Sequence, residues 1–275
     1  MILVTGATGS VGRPLVDALR AAGAPVRAFC RHPEKGGFPA DVETVAGEMA
    51  DEGAVREALR GVGEIFLLRA PGVETLWQEA RAQGVEHVVF LSSGAVTAPV
   101  GTFIGERHRA VEEVLAEGPA RCSFLRPGAF MANAFAWAPE IRSQGAVRTP
   151  FADVATVPVD ARDIADAAAD LLLHPRPVAV AAYPITGPAV LTAREQVAIL
   201  GDALGRELRC EAMPEAEARE QMGRFAPAPV VESLFALMRA VAQGFGLEVT
   251  ALDGITGRPG RSFATWAEDH RAAFL

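Results

Sequence analysis

The 275-residue chain holds a single lysine, Lys35, a single tyrosine, Tyr183, and three cysteines, Cys30, Cys122 and Cys210. The cysteines show no C-x-x-C spacing and cannot all pair, which argues against a disulfide framework and fits a reducing compartment. No apolar run approaches the roughly 18 residues of a membrane-crossing helix. No basic segment precedes the opening run Ile2-Leu3-Val4, so a cytoplasmic protein, neither secreted nor membrane-inserted, is expected. Positive charge is also short: 26 Lys and Arg against 34 Asp and Glu leave a net charge of -8. That balance offers no general attraction to nucleic acid or an anionic membrane, and neither is expected as a partner. His32, His87, His108, His174 and His270 are scattered without an H-E-x-x-H pattern, so no metal site is expected. The G-x-S-x-G turn of serine hydrolases is missing as well.

What is present is hydrophobic and periodic. Half of the residues are apolar, enough for a full core. Short β-branched runs at 2–4, 26–29, 65–68 and 88–91 alternate with amphipathic stretches at 14–22, 52–60 and 73–83. This reads as an α/β fold of successive βαβ units around a parallel sheet. Further strands are expected at 122–125 and 182–185, with helices over 161–173, begun near Asp160, and after Thr192. Residues 206–275 are more helical and rich in arginine, and no low-complexity linker sets them apart, so a smaller lobe packed on the first is expected.

The chain opens with "MILVTGATGSVGRPLVDALRAAG", which places Gly6, Gly9 and Gly12 between an apolar strand and an amphipathic helix. The first glycine permits a tight turn, the second a close approach to a pyrophosphate, and the third close helix packing. Backbone N-H groups over Thr8, Ser10, Val11 and Arg13 and the dipole of the helix would receive the phosphates. An NAD site usually carries a carboxylate at the end of the second strand. Here that end reads "AFCRHPEK", and Arg31, with Arg13 and Lys35, suits a 2'-phosphate instead, so NADP(H) is favoured over NAD(H). The alternative is that these cations are solvated surface charges.

The segments "TGATGSVGR", "VFLSSGA" (89–95), "HRAVEEVL" (108–115), "LRPGAFMAN" (125–133), "VDARDIADAAADLL" (159–172) and "YPITGPAVLT" (183–192) together resemble the NmrA-like branch of the atypical short-chain dehydrogenases. Within it the likeness is greatest to bacterial NAD(P)H-dependent reductases of the quinone, triphenylmethane and agroclavine types. The resemblance implies a Rossmann-type doubly wound parallel sheet with a smaller, mostly helical C-terminal lobe and a substrate cleft between them. It divides the chain into a dinucleotide-binding domain over 1–150, with 156–175 packing back onto it, and a substrate-side lobe over 176–275. It also puts the expected catalytic tyrosine at Ile104 and its lysine at His108. With one tyrosine and one lysine, both elsewhere, no Tyr-x-x-x-Lys exists anywhere in the chain.

By the same resemblance and fold order, Glu48 and Met49 flank the adenine, and Leu68 and Arg69 lie near the ribose or pyrophosphate. Pro127 and Gly128 approach the carboxamide. Ser92 or Ser93 survives from the usual triad or caps the end of its strand. Ile104, His108, Val111 and Leu115 share one helical face, so His108 points inward, where Glu112 could orient it. There it either donates a proton or only contacts the cofactor. Phe130, Met131, Asn133, Phe135 and Trp137 form an apolar cluster that either receives a flat hydrophobic or aromatic substrate or belongs to the core between the lobes. Asp160 and Asp163 are expected to cap and brace a helix.

Without the phenolic proton donor, the expected activity is hydride transfer from NADPH to an acceptor whose product anion is already stabilised or never forms: a quinone, an enone or an iminium. The competing expectations are a sensor that binds NAD(P) and a protein partner without turnover, and a specialised-metabolism enzyme using bound NADP for a cryptic redox step or isomerisation.

Overall fold

Ile2–Thr5 (β1) is buried along its whole length, as a strand covered on both faces must be. The structure, a computed structural model, describes residues 1–250 and 252–275. After β1 come α1 (Gly12–Ala21), β2 (Val26–Cys30), β3 (Glu43–Ala46), α2 (Glu52–Ala58), β4 (Glu64–Leu68), α3 (Val73–Ala82), β5 (His87–Leu91), α4 (Phe103–Ala116) and β6 (Arg121–Pro127). The chain continues through α5 (Ala138–Gln144), β7 (Ala146–Thr149), β8 (Ala155–Thr156), α6 (Ala161–Leu173), β9 (Val180–Ile185), β10 (Leu191–Thr192) and α7 (Ala193–Leu204). It closes with β11 (Arg209–Ala212), α8 (Glu215–Gly223), α9 (Ala228–Ala242), α10 (Asp253–Thr256) and α11 (Phe263–Asp269).

Seven strands form one parallel sheet in the order β3-β2-β1-β4-β5-β6-β9. Side chains alternate between its faces, and the alternation sorts the core into two layers. Ile2, Val4, Phe66, Val89 and Leu125 meet Leu15, Val16 and Leu19 of α1 and Ile164, Ala168 and Leu171 of α6. Leu3, Ile65, Leu67, Val88 and Phe90 meet α2, α3 and α4 on the other side, where Leu76, Trp77, Val111 and Leu115 are buried. Asp160 caps α6 by accepting from the Arg162 N-H, and Asp163 on the same helix binds Arg261 through both its backbone N-H and its guanidinium. The C-terminal segment is thereby tied to the first lobe.

The lobes interleave more than a single cut suggests. β9 begins at Val180 and joins the main sheet beside β6, because its backbone completes an edge that would otherwise be open. Meanwhile α5 and β7, before residue 150, supply Ile141 and Val147 to the second core with Leu200, Phe263 and Trp266. Residues 138–149 thus pack with the second core, and 180–185 with the main sheet. Thr192 and Glu195 form a reciprocal cap that starts α7. A smaller cluster, Phe151, Met213, Val231 and Phe235, seats α8 and α9, and α9 reaches the first turn of α4, where the Ile104 N-H donates to Ser233 Oγ at 3.3 Å. Among the described residues no helix is long and apolar enough to cross a membrane.

Candidate active site

The strand order reverses between β1 and β4, and in a doubly wound sheet that reversal opens a crevice at the carboxyl ends of the strands. The Thr5 hydroxyl spans the opening, donating to Phe66 O at 2.9 Å and accepting from the Leu68 N-H at 3.0 Å. Gly6 follows with φ +60°, a conformation that suits glycine, and a Cβ there would lie 1.9 Å from Leu68 Cδ2. A Cβ on Gly12 would lie 2.3 Å from Gly6 O, so the start of α1 can pack on the turn only as glycine. No side chain caps α1; the Arg13 N-H is taken by the Gly9 carbonyl at 3.0 Å, and the positive end of the helix dipole lies at the turn.

A cavity of about 460 Å³ extends from this turn, lined by Gly6, Thr8 and Gly9, by Arg31 at the end of β2, by Glu48 and Met49 after β3, and by Leu68 at the end of β4. These residues fit a dinucleotide: glycine backbone for phosphates, a cation at the second strand, and apolar walls for a base. Ser10 is exposed beside the turn, and Val11 is buried in the core, so Val11 can meet a ligand only through its backbone.

The three cations of the sequence reading separate. Arg31 lines the cavity and has no ion-pair partner among the described residues. Arg13 is held by Asp17 at 3.2 Å and by the Gly36 carbonyl, with its guanidinium over the Phe38 ring. Lys35 stands exposed in the single turn Pro33–Lys35 and is not part of the lining. Leu68 and Arg69 also part: Leu68 faces the cofactor cavity, whereas Arg69 lines a neighbouring cleft between α3 and α4.

On α4, His108 does turn inward, with its ring 6.3 Å from that of Phe90 on β5. Its Nδ1 lies 2.8 Å from the Ile104 carbonyl, which can only accept, so the Nδ1 proton is committed there. Burial pushes the imidazole below its ordinary pKa, and the Arg69 and Arg107 charges reinforce the shift against the raising effects of the Ile104 bond and Glu112. The neutral ring therefore presents Nε2 as an acceptor. Glu112 does not orient it, contrary to expectation. That carboxylate is buried and accepts the Ser92 hydroxyl at 2.5 Å and the Arg126 fork at 3.0 and 2.5 Å. Ser93, not Ser92, caps the following turn through the Ala95 N-H. Ser92, Glu112 and Arg126 thus bolt the ends of β5 and β6 to the His108 helix. Sequence reasoning missed Arg126, although an arginine inside an apolar strand signals a buried counterion.

Pro127 is buried and Gly128 exposed at the end of β6, both at the crevice side of the sheet. The five residues expected as one apolar cluster point apart. Phe130 packs half-buried on the first-lobe core, while Met131 is sealed in the second core. Phe135 lies on Trp266, His270 and Phe274 at ring distances of 4.9, 5.3 and 5.9 Å, and Trp137 packs beside that core. Asn133 is exposed. Phe130 and Met131, adjacent in sequence, thus join the two cores, while Phe135 remains partly exposed.

The NmrA-like family model matches residues 1–253. The chain belongs to this family. Among the relatives of the NmrA-like chain is a (4-alkanoyl-5-oxo-2,5-dihydrofuran-3-yl)methyl phosphate reductase of Streptomyces griseus, 40% identical with 100% of this chain and 99% of that protein aligned. An NAD(P)H azoreductase of Xenophilus azovorans is 33% identical over 100% of this chain and 99% of that protein. The fold is that of the Escherichia coli NADPH-dependent quinone oxidoreductase, matched at a TM-score of 0.83 and 24% identity over 98% and 99% of the two chains. The Citrobacter triphenylmethane reductase bound to NADP(H) matches at 0.80 and 21% identity over 98% and 100%. The protein is an oxidoreductase of the NAD(P)H-dependent reductase class.

Proposed function

We propose that this protein uses NADPH, in preference to NADH, to reduce an activated carbon-carbon or quinonoid double bond in a small hydrophobic acceptor. The observation that carries the reading is at the place where a proton donor is expected: Ile104 has no acid, and the neutral His108 already gives its only N-H to a carbonyl. An alkoxide formed there would have no nearby donor, so simple ketones are poor substrates. The relative at 40% identity acts on a compound whose ring alkene is conjugated to both a lactone carbonyl and an alkanoyl group. Reduction of such an alkene leaves an enolate spread over two carbonyls, which takes its proton from water.

Bound NADPH supplies the hydride. The Gly6–Gly12 turn and the start of α1 would hold the pyrophosphate, and Arg31, lining the cavity at the end of the second strand, would take the 2'-phosphate. His108, its Nδ1 proton taken by the Ile104 carbonyl, would offer Nε2 as an acceptor to a ribose hydroxyl. Ser92, Glu112 and Arg126 fix the helix and strand ends that would flank the nicotinamide. The test is calorimetric titration with NADPH and NADH, followed by the decay of NADPH absorbance with dicarbonyl-flanked alkenes, quinones, iminium dyes and simple ketones. Turnover of the first three classes, at least about a hundredfold faster than ketones, is expected from the absent donor. Ketone reduction at comparable rates would overturn the mechanism, and cofactor binding with no turnover would favour a sensor.

A further inference from the structure

Ala70 and Pro71 stand between the cofactor cavity and a second cleft of about 250 Å³, framed by α3 and α4. Its walls are apolar, formed by Val73, Trp77 and Val111, and its charged groups are Arg69, Arg107 and Glu74. Neither guanidinium has an ion-pair partner among the described residues, whereas Arg126 and Arg56 are matched with Glu112 and Glu79. Arg107 rests over the Phe103 ring, 5.1 Å from its centre. Burial and then the Arg107 charge push Arg69 below its ordinary value, and Glu74 offsets this only in part. Two like charges therefore face one apolar cleft in which Glu74 is the one carboxylate among the lining residues, and a bound dianion would relieve the repulsion that Glu74 leaves.

The cleft shares Ala70 and Pro71 with the cofactor cavity. His108 follows Arg107 on α4 and is acted on by both guanidiniums. A phosphate monoester carries about -1.5 to -2 at neutral pH, matching two guanidiniums, and its oxygens suit their forks. The relative at 40% identity takes a substrate with a methyl phosphate arm. We propose that Arg69 and Arg107 clamp the phosphate of a phosphate-monoester acceptor, with its carbon arm against Val73, Trp77 and Val111. The clamp selects phosphorylated acceptors over their free alcohols. It rests on the reductase reading given above.

The experiment compares kcat/KM for one dicarbonyl-flanked alkene as its phosphate monoester and as the free alcohol, in the wild type, Arg107→Gln and Arg107→Lys. In parallel, hexyl phosphate is titrated calorimetrically into the NADPH-saturated protein. The wild type should favour the ester, Arg107→Gln should lower the ester-to-alcohol ratio by about tenfold to a hundredfold through KM, and Arg107→Lys should recover part of it. Hexyl phosphate should bind the wild type with NADPH retained, and binding should be lost in Arg107→Gln. An unchanged ratio, or hexyl phosphate binding only by expelling NADPH, would overturn the clamp and leave the reductase reading standing. If neither alkene is reduced, that reading fails, and the hexyl phosphate titration alone still decides the clamp.

Discussion

The two ends of the central sheet carry polar side chains under opposite terms. At the carboxyl end, Ser92, Glu112 and Arg126 are joined by hydrogen bonds across β5, α4 and β6. At the amino end, Glu64, His87 and Arg121 sit side by side on β4, β5 and β6, and each keeps a buried atom without a partner: Glu64 Oε2, His87 Nδ1 and Arg121 Nε. Among the described residues, of these three side chains only His87 is engaged, through Nε2 with Ser123 Oγ at 3.1 Å. The end that must position a cofactor is over-determined, while the far end tolerates unpaired polarity that costs stability without touching chemistry.

Breaking the well-partnered end should have the largest effect. Glu112→Ala strands Arg126 and the Ser92 hydroxyl, and a loss of about 3 to 5 kcal/mol is expected from denaturant unfolding, the cost of removing one member of a buried pair. A loss below about 1 kcal/mol would mean that the two ends are alike.

Acid should expose the weakness of the other end. Burial, with Arg121 adding to it, lowers the His87 pKa from 6.5 to about 4. The unfolded chain then binds more protons between those values, so His87 contributes stability that is present above pH 6.5 and lost as pH falls toward about 4. The Glu64 carboxyl is raised by burial and works in the opposite direction. The His87 share is read as the difference between the wild type and His87→Gln, about 2 to 3 kcal/mol across that window. Parallel pH profiles of the two proteins would remove His87 from the account.

The smallest effect sharpens the picture of the crevice itself. Arg31→Glu should weaken NADPH by about tenfold while improving NADH, since one guanidinium bond to a phosphate is worth about 1.5 to 3 kcal/mol. Unchanged selectivity in calorimetry would place the 2'-phosphate elsewhere.

The sheet, the glycine turn and the capped helices were legible in the sequence because each is specified locally. Short β-branched runs set the strands, Gly6 is marked by its own positive φ and Gly12 by the Gly6 carbonyl of the same turn, and Thr192 with Glu195 form their own cap. The side chains at the site were less so. Nothing near Glu112 in sequence reveals that Arg126 and Ser92 claim its carboxylate in place of His108, because that choice is made between helix and sheet. Nor does the sequence near Phe135 reveal that Trp266 and Phe274, from the far end of the chain, pack against one side of its ring while it stays partly exposed. The pairing of Arg69 with Arg107 likewise exists only once α4 is laid beside β4.

Thr5 deserves a last use. Its hydroxyl takes the place of backbone rungs between β1 and β4, so the Leu68 amide is protected by a side chain at the very rim of the crevice. Deuterium uptake at that one amide should therefore track the parting of the two strands. It offers an occupancy gauge within the protein, readable by mass spectrometry or NMR without a chromophore or a turnover assay.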